Sequence, residues 1–347
     1  MSALQVEAIR FWCGLGDVSW NYHPPETGPY TCISPIYGHE EGKQQTNGVR
    51  VPHATRVLQD SGAFSDGPRS RLTTEEALRR QECHAEKYAY ADRIAYRASY
   101  DLLIDEKWGT DGFRRKQRWS EHEAEQAVQE TVKAARFLAC HRGGIPCVLS
   151  AQGVSPRQYL RCTQEIVPLL HQGDLFGLGG WCVTGKFPKV MLPVFRETMH
   201  LVIPFLGHEG IQAVHLWGVI YAKALSELLW LCDQYHISLS TDSMGPCTYP
   251  AFGRWGYAEW RDPTYVRPQV YESCQEGAFD VCEEMTPACR GQERIRHVEV
   301  TRQWLAHFRT TPSYPRGVPV YLTQPQQRSL WGEQVAQEEE QAEGVSS

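Results

Sequence analysis

Three aspartates stand at the ends of short apolar runs in this chain: Asp60 in Asp60-Ser61-Gly62, Asp105 in Asp105-Glu106, and Asp242 in Asp242-Ser243. Three further runs end in Gln152-Gly153, Gly179-Gly180 and Trp217-Gly218. If these runs are parallel strands of one barrel, their carboxyl ends converge over a single mouth. Carboxylates, one amide and several glycines would then face a common hollow. Two carboxylates flanking a reacting bond can divide the work between nucleophile and general acid or base. Taken singly, each residue has a plainer meaning: an Asp after a strand often caps a helix, and a glycine pair there is ordinary turn chemistry. A lone Gln is commonly a surface amide, so only the set as a whole carries weight.

The elements that must position these residues read as an alternation. Strand-like runs are predicted at 9–15, 30–36, 56–62, 100–106, 146–153, 175–181, 213–219 and 237–245. Several are apolar on both faces, as strands of a buried parallel sheet are. Helical patterns fall between them at 74–95, 120–142, 156–172, 187–206 and 221–235. Thr73 or Thr74 ahead of Glu76 reads as an N-cap, and Ser120 with Glu123 fits a capping box. Eight strands interleaved with helices predict a (β/α)₈ TIM barrel over 1–247, with irregular N-terminal loops and an open doubly wound sheet as the alternative. Residues 248–331 are expected to form an aromatic-rich loop and a C-terminal Cys/His-containing extension. The Glu/Gln-rich 332–347 reads as a disordered acidic tail.

Composition narrows the class without fixing the partner. With 347 residues, 41% hydrophobic and 22% charged, the chain is long enough for a sizeable core and has ordinary globular proportions. The segment 1–10 does not resemble a secretory signal, and no apolar stretch reaches membrane-spanning length, so a cytoplasmic protein with no membrane partner is expected. The twelve cysteines, scattered over the chain, are expected to be mostly buried free thiols. A net charge of −6 does not by itself point to nucleic acid, although a local basic face is compatible with it.

In order along the chain, Asp-Ser-Gly, Asp-Glu, Gln-Gly, Gly-Gly, Gly-Val and a final Asp resemble the strand-end motifs of the tRNA-guanine transglycosylase superfamily, over roughly 57–246. The resemblance implies that Asp242 is a nucleophile attacking the sugar C1′, and that Asp60 is the general base or acid. It implies that Asp105 reads the edge of a guanine-type base, with Gln152, Gly179 and Gly180 completing the contacts. Ser61, Phe64 and Trp217 would line the same base site, Phe64 by stacking. Two departures from the family pattern stand out. Its Asp-Ser-Gly-Gly is Asp60-Ser61-Gly62-Ala63 here, which would obstruct a positive φ at Ala63. The acidic residue expected after Gly-Gly-Leu is missing from Gly180-Trp181-Cys182-Val183-Thr184-Gly185-Lys186, favouring a base with a neutral 7-substituent such as cyano.

The N-terminal Gly14-Leu15-Gly16-Asp17, with Trp20, Asn21, His23 and Pro24, is more similar to the branch that places 7-deazaguanine in DNA. DNA is therefore the expected partner, tRNA the alternative, and the resemblance also implies helper proteins of a modification system. A target base inside a duplex would have to be flipped out. Phosphate contacts are expected from Arg69, Arg71, Arg114, Arg115, Lys116 and Arg254, the last lying among the aromatics Trp255, Tyr257 and Trp260. The superfamily's tight cysteine run for structural zinc is absent; Cys274, Cys282, Cys289 and either His297 or His307 supply a wider set that would suit tetrahedral zinc or remain free thiols. No organic cofactor is expected. Two other readings stay open: a catalytically silent nucleic-acid-binding subunit, and a barrel glycosidase using Asp60 and Asp242 without a purine-reading set.

Overall fold

The computed structural model describes residues 7–15, 29–35, 55–66, 71–102, 104, 119–182, 188–243, 298–299 and 301–308. All of them fall within one compact unit, Met1–Thr310. Eight parallel strands close into a ring in chain order: β1 (Ile9–Leu15), β2 (Tyr30–Ile33), β3 (Arg56–Gln59), β4 (Ile94–Ala98), β5 (Cys147–Ala151), β6 (Leu175–Leu178), β7 (Ala213–Leu216) and β8 (Ser238–Ser243). Strand β8 pairs with β1 from Ile9↔Leu239 to Cys13↔Ser243, so the sheet has no free edge and the open-sheet alternative is excluded. The chain is a (β/α)₈ barrel.

The period of two along each strand sorts residues between the lumen and the helical shell. Trp12, Cys32, Leu58, Ala98, Val148 and Leu175 pack together inside the ring. Ile9, Phe11, Cys13, Leu149, Phe176, Val214 and Leu239 face outward, into the core shared with the helices. That shell includes α1 (Ala63–Asp66), α2 (Thr74–Lys87), α3 (Glu121–Cys140), α4 (Pro156–Ile166), α5 (Pro188–His208) and α6 (Ala222–Gln234). Both expected helix starts form: Thr73 with Glu76 caps α2 and Ser120 with Glu123 caps α3, each as a reciprocal capping box. Near the C-terminal side, residues 301–306 are helical; Leu305 joins the main core, and the carbonyl of Ala306 accepts from the Ala8 N–H at 2.9 Å.

The fourth strand departs from the sequence expectation. Instead of 100–106, it is Ile94–Ala98, and the preceding helix stops at Lys87 instead of running to 95. One arginine disguises the strand. Arg97 points outward yet is buried, where it donates from Nε to Gln59 Oε1 at 2.9 Å. The described residues that follow, 99–102, lie outside any strand, and the carbonyls of Tyr100 and Asp101 accept from Arg71.

Eight cysteines are free among the described residues, and Cys13, Cys32, Cys147, Cys162 and Cys232 of these are buried. Among the described residues no helix is long and apolar enough to cross a membrane.

Candidate functional site

Asp60 follows β3, Gln152 follows β5, Gly179 and Gly180 follow β6, Trp217 and Gly218 follow β7, and Asp242 lies near the end of β8. Because all eight strands are parallel, these positions share the carboxyl-terminal mouth. Asp60 and Asp242 meet there electrostatically. The Asp60 carboxyl is pushed up from its usual 3.8 to about 6, first by burial and next by the negative charge of Asp242; Asp101 adds to the rise, while the Ser61 N–H and Ser34 hydroxyl oppose it. On β2, the buried Cys32 thiol is raised by the same burial and by both carboxylates, so it sits within the field of each.

Gly62 takes a φ of 81°, whereas Ala63 begins α1. The strained position in this turn is thus still occupied by glycine, and the Ala63 replacement obstructs nothing. The turn aims the Asp60 carboxylate at the Ser61 N–H, which donates to Oδ1 at 2.7 Å. The Ser61 hydroxyl accepts from Ala63 N at 3.3 Å and its carbonyl accepts from Arg80 at 2.7 Å, so Ser61 shapes the turn. Phe64 on α1 is exposed.

Asp101, which the sequence reading passed over in favour of Asp105, lies three residues beyond β4. Its carboxylate accepts a hydrogen bond from Gln152 Nε2 and is raised chiefly by burial, against the lowering effect of that bond and of Arg71. Asp105 lies outside the described residues. Gln152 is fully buried, and its Oε1 has no partner among the described residues. A buried amide oxygen left unpaired is costly and marks a place for a donor.

The glycine pair explains how Gln152 fits. A Cβ at Gly179 would overlap the Gln152 amide, and one at Gly180, where φ is 81°, would come within 2.7 Å of Gln152 Oε1. The two glycines therefore seat this amide, a role different from the expected close approach of a base to bare backbone.

Asp242 is held by its carboxylate. Oδ1 accepts from the Gly218 N–H at 2.7 Å and lies 3.3 Å from Nε2 of His215. His215, buried in the lumen on β7, was not among the residues expected from sequence. Its signal was present: it precedes Trp217 by two, hence shares the lumen face, but a single His in an apolar strand reads as core. Trp217 itself donates from Nε1 to Ser150 Oγ at 2.8 Å.

The expected nucleic-acid and metal residues fare differently. Arg71 lies 4.6 Å over the Tyr100 ring and donates to the Tyr100 and Asp101 carbonyls, so its guanidinium braces the Asp101 segment. Arg69, Arg114, Arg115, Lys116, Arg254, Cys274, Cys282, Cys289 and His297 lie outside the described residues. His307 is exposed, with Nδ1 2.9 Å from the Gln303 carbonyl one turn earlier. Among the described residues no group of three metal-ligating side chains comes together.

No family model matches the chain, and no curated protein matches it. Among solved structures it is similar to a putative fructose-1,6-biphosphate aldolase from Coccidioides immitis, at 10% identity over 84% of this chain and 92% of that one, with a TM-score of 0.36. These findings overturn the membership of the tRNA-guanine transglycosylase superfamily that the motifs implied. No model of that or any family recognises the chain. What stands is a (β/α)₈-barrel protein with an acidic mouth.

Proposed function

We propose that the mouth of this barrel catalyses displacement at an anomeric carbon, exchanging guanine in DNA for a 7-deazaguanine through a covalent aspartyl-glycosyl intermediate. The observation that carries the reading is the placement of Asp60 and Asp242 at one end of one barrel, where burial and then the charge of Asp242 raise the Asp60 carboxyl to about 6. A carboxyl raised in this way suits proton transfer beside a second carboxylate placed to attack.

In the first half, an Asp242 oxygen forms a bond to C1′ as the C1′–N9 bond breaks, and Asp60 gives its proton to the departing base. In the second half, the incoming base loses a proton to Asp60 while its nitrogen displaces Asp242. The reaction balances with no oxidant or cofactor. Asp101, in place of Asp105, would accept from the N1–H and amine edge of a guanine-type base, a pattern adenine does not offer. Gln152 Oε1 would take a further donor. A neutral 7-substituent such as cyano suits the segment after Gly180, which lacks an acid up to Lys186.

The test is incubation of the full chain with guanine-containing DNA, or tRNA, and labelled 7-cyano or 7-aminomethyl deazaguanine, followed by digestion and mass identification of nucleosides. The label is expected in DNA from the cyano base. Asp242→Ala is expected to lower incorporation by at least about 10⁴-fold and to abolish the covalent adduct. Release of guanine without incorporation would replace the reading with glycoside hydrolysis, and full activity of Asp242→Ala would end it.

A further inference from the structure

His215 has no part in the steps above, yet its surroundings are built around it. It pairs in register with Ser240 across β7 and β8. Nδ1 lies 2.9 Å from Ser240 Oγ, and Nε2 lies 3.3 Å from Asp242 Oδ1. The edge of Trp217 closes on the imidazole, with ring centroids 4.4 Å apart and planes at 79°. Trp217 is pinned in turn to Ser150 on β5, and this bond passes over Gly177 on β6, where a Cβ would overlap Ser150 Oγ and lie 2.9 Å from Trp217 Nε1. A chain of side chains, hydrogen-bonded except at the Trp217–His215 ring contact, thus crosses the lumen from β5 to β8 and ends on Asp242.

We infer that His215 is a positioning residue that fixes Asp242 in one rotamer, with Oδ1 turned into the barrel and Oδ2 presented to the mouth as the attacking oxygen. Oδ1 is shared by two donors, the Gly218 N–H and His215 Nε2–H. Its lone pairs are engaged, whereas Oδ2 has no hydrogen-bond partner among the described residues. A proton on Nε2 follows from the same contacts, since a bare Nε2 would set its lone pair against Oδ1. The Ser240 hydroxyl lies within hydrogen-bond reach of both Nδ1 and the Val214 carbonyl, at 2.9 and 3.2 Å. Although Ser, His and Asp are the residue types of a hydrolytic triad, the order is inverted. In such a triad the serine faces Nε2 and the aspartate faces Nδ1. Here Ser240 lies buried beneath the imidazole at 6% exposure.

This inference rests on the nucleophilic role of Asp242, and two measurements separate its failure from failure of that role. The first needs no substrate: NMR of protein labelled with ¹⁵N-histidine, with the His215 signal assigned by its loss in His215→Gln. A proton on Nε2 is expected, and an imidazole protonated on Nδ1 alone overturns the inference. The second is exchange kinetics. Misorientation of a nucleophile by about an ångström costs on the order of 10²-fold. His215→Phe is expected to lower kcat by that amount with KM within about threefold. His215→Gln, whose Nε2 can reach the same oxygen, should recover to within about tenfold of wild type. Unchanged kcat in His215→Phe with an unchanged Tm overturns positioning while base exchange stands; exchange surviving in Asp242→Ala overturns both.

Discussion

On the β3–β4 side of the mouth the protein grips main chain, and on the β7–β8 side it grips a carboxylate. Gln81 of α2 reaches under the strand ends and donates to the carbonyls of Asp60 at 3.0 Å and Ala98 at 3.1 Å. Arg80 holds the Ser61 carbonyl and the Asp66 carboxylate, and Arg71 holds the carbonyls of Tyr100 and Asp101. These donors leave the Asp60 carboxylate to the Ser61 N–H and the Ser34 hydroxyl. Asp242 shows the reverse, with Oδ1 tied to Gly218 and His215. The difference fits two chemical duties. A group that must gain and lose a proton needs a fixed place and a raised carboxyl, whereas a nucleophile needs a fixed direction.

The largest effect that would break this division comes from Asp60→Asn, which keeps the shape and an acceptor for the Ser61 N–H but carries no exchangeable acid. A loss of about 10²- to 10⁴-fold in kcat is expected. In wild type, the protonated fraction of Asp60 falls as pH rises through about 6, so single-turnover formation of the glycosyl intermediate should decline on that alkaline limb. The limb should be absent in Asp60→Asn; if it persists, another group owns it. Because the charge of Asp242 contributes to the elevation, Asp242→Asn should move the Asp60 titration downward, as read by ¹³C carboxyl shifts without any substrate.

A smaller effect is expected from Gln81→Leu, which preserves volume and removes both donors. Leaving buried carbonyls unpaired costs roughly 1–3 kcal/mol each, so urea denaturation should show a loss of about 2–4 kcal/mol, with kcat reduced about tenfold as the Asp60 and Asp101 segments loosen. The His215 tautomer should not move. If it does, the two sides are coupled and the division is not real.

The parts of this site that were legible in the sequence are those set by local rules. Capping boxes at Thr73 and Ser120, the period-two alternation of the strands, and carboxylates placed at strand ends all follow from neighbours in the chain. What was hidden depends on partners far away. Arg97 breaks the apolar pattern of β4 because Gln59, 38 residues earlier, satisfies it within the shell. That one buried cation displaced the expected strand. Arg71 read as a phosphate ligand because nothing in its own segment announces the Tyr100 ring beneath it. The glycines at 179 and 180 were visible as glycines, yet what they make room for, the amide of Gln152, belongs to another strand.

The smallest expected effect is thermodynamic and tests the Asp60 side apart from any reaction. Burial and the Asp242 charge raise the folded-state value of Asp60 from 3.8 to about 6, so the folded protein binds this proton more tightly than the unfolded chain does. The stability contributed by that proton is fully present below about pH 4 and is lost as pH rises through about 6, leaving a buried charge in the native state. Each unit corresponds to about 1.36 kcal/mol, and partial exposure of Asp60 reduces the full shift to an expected 1–2 kcal/mol, roughly. Asp60→Asn carries no such charge. Relative to wild type it should therefore gain stability between pH 4 and 6 and hold the gain above 6, as followed by urea midpoints at pH 4, 5, 6 and 8. The same substitution made beside Asp242→Asn should gain less, because one source of the elevation is gone. A stability difference that stays flat across this range would mean that the Asp60 carboxyl is neither buried enough nor near enough to Asp242 to serve as the proton carrier of the pair.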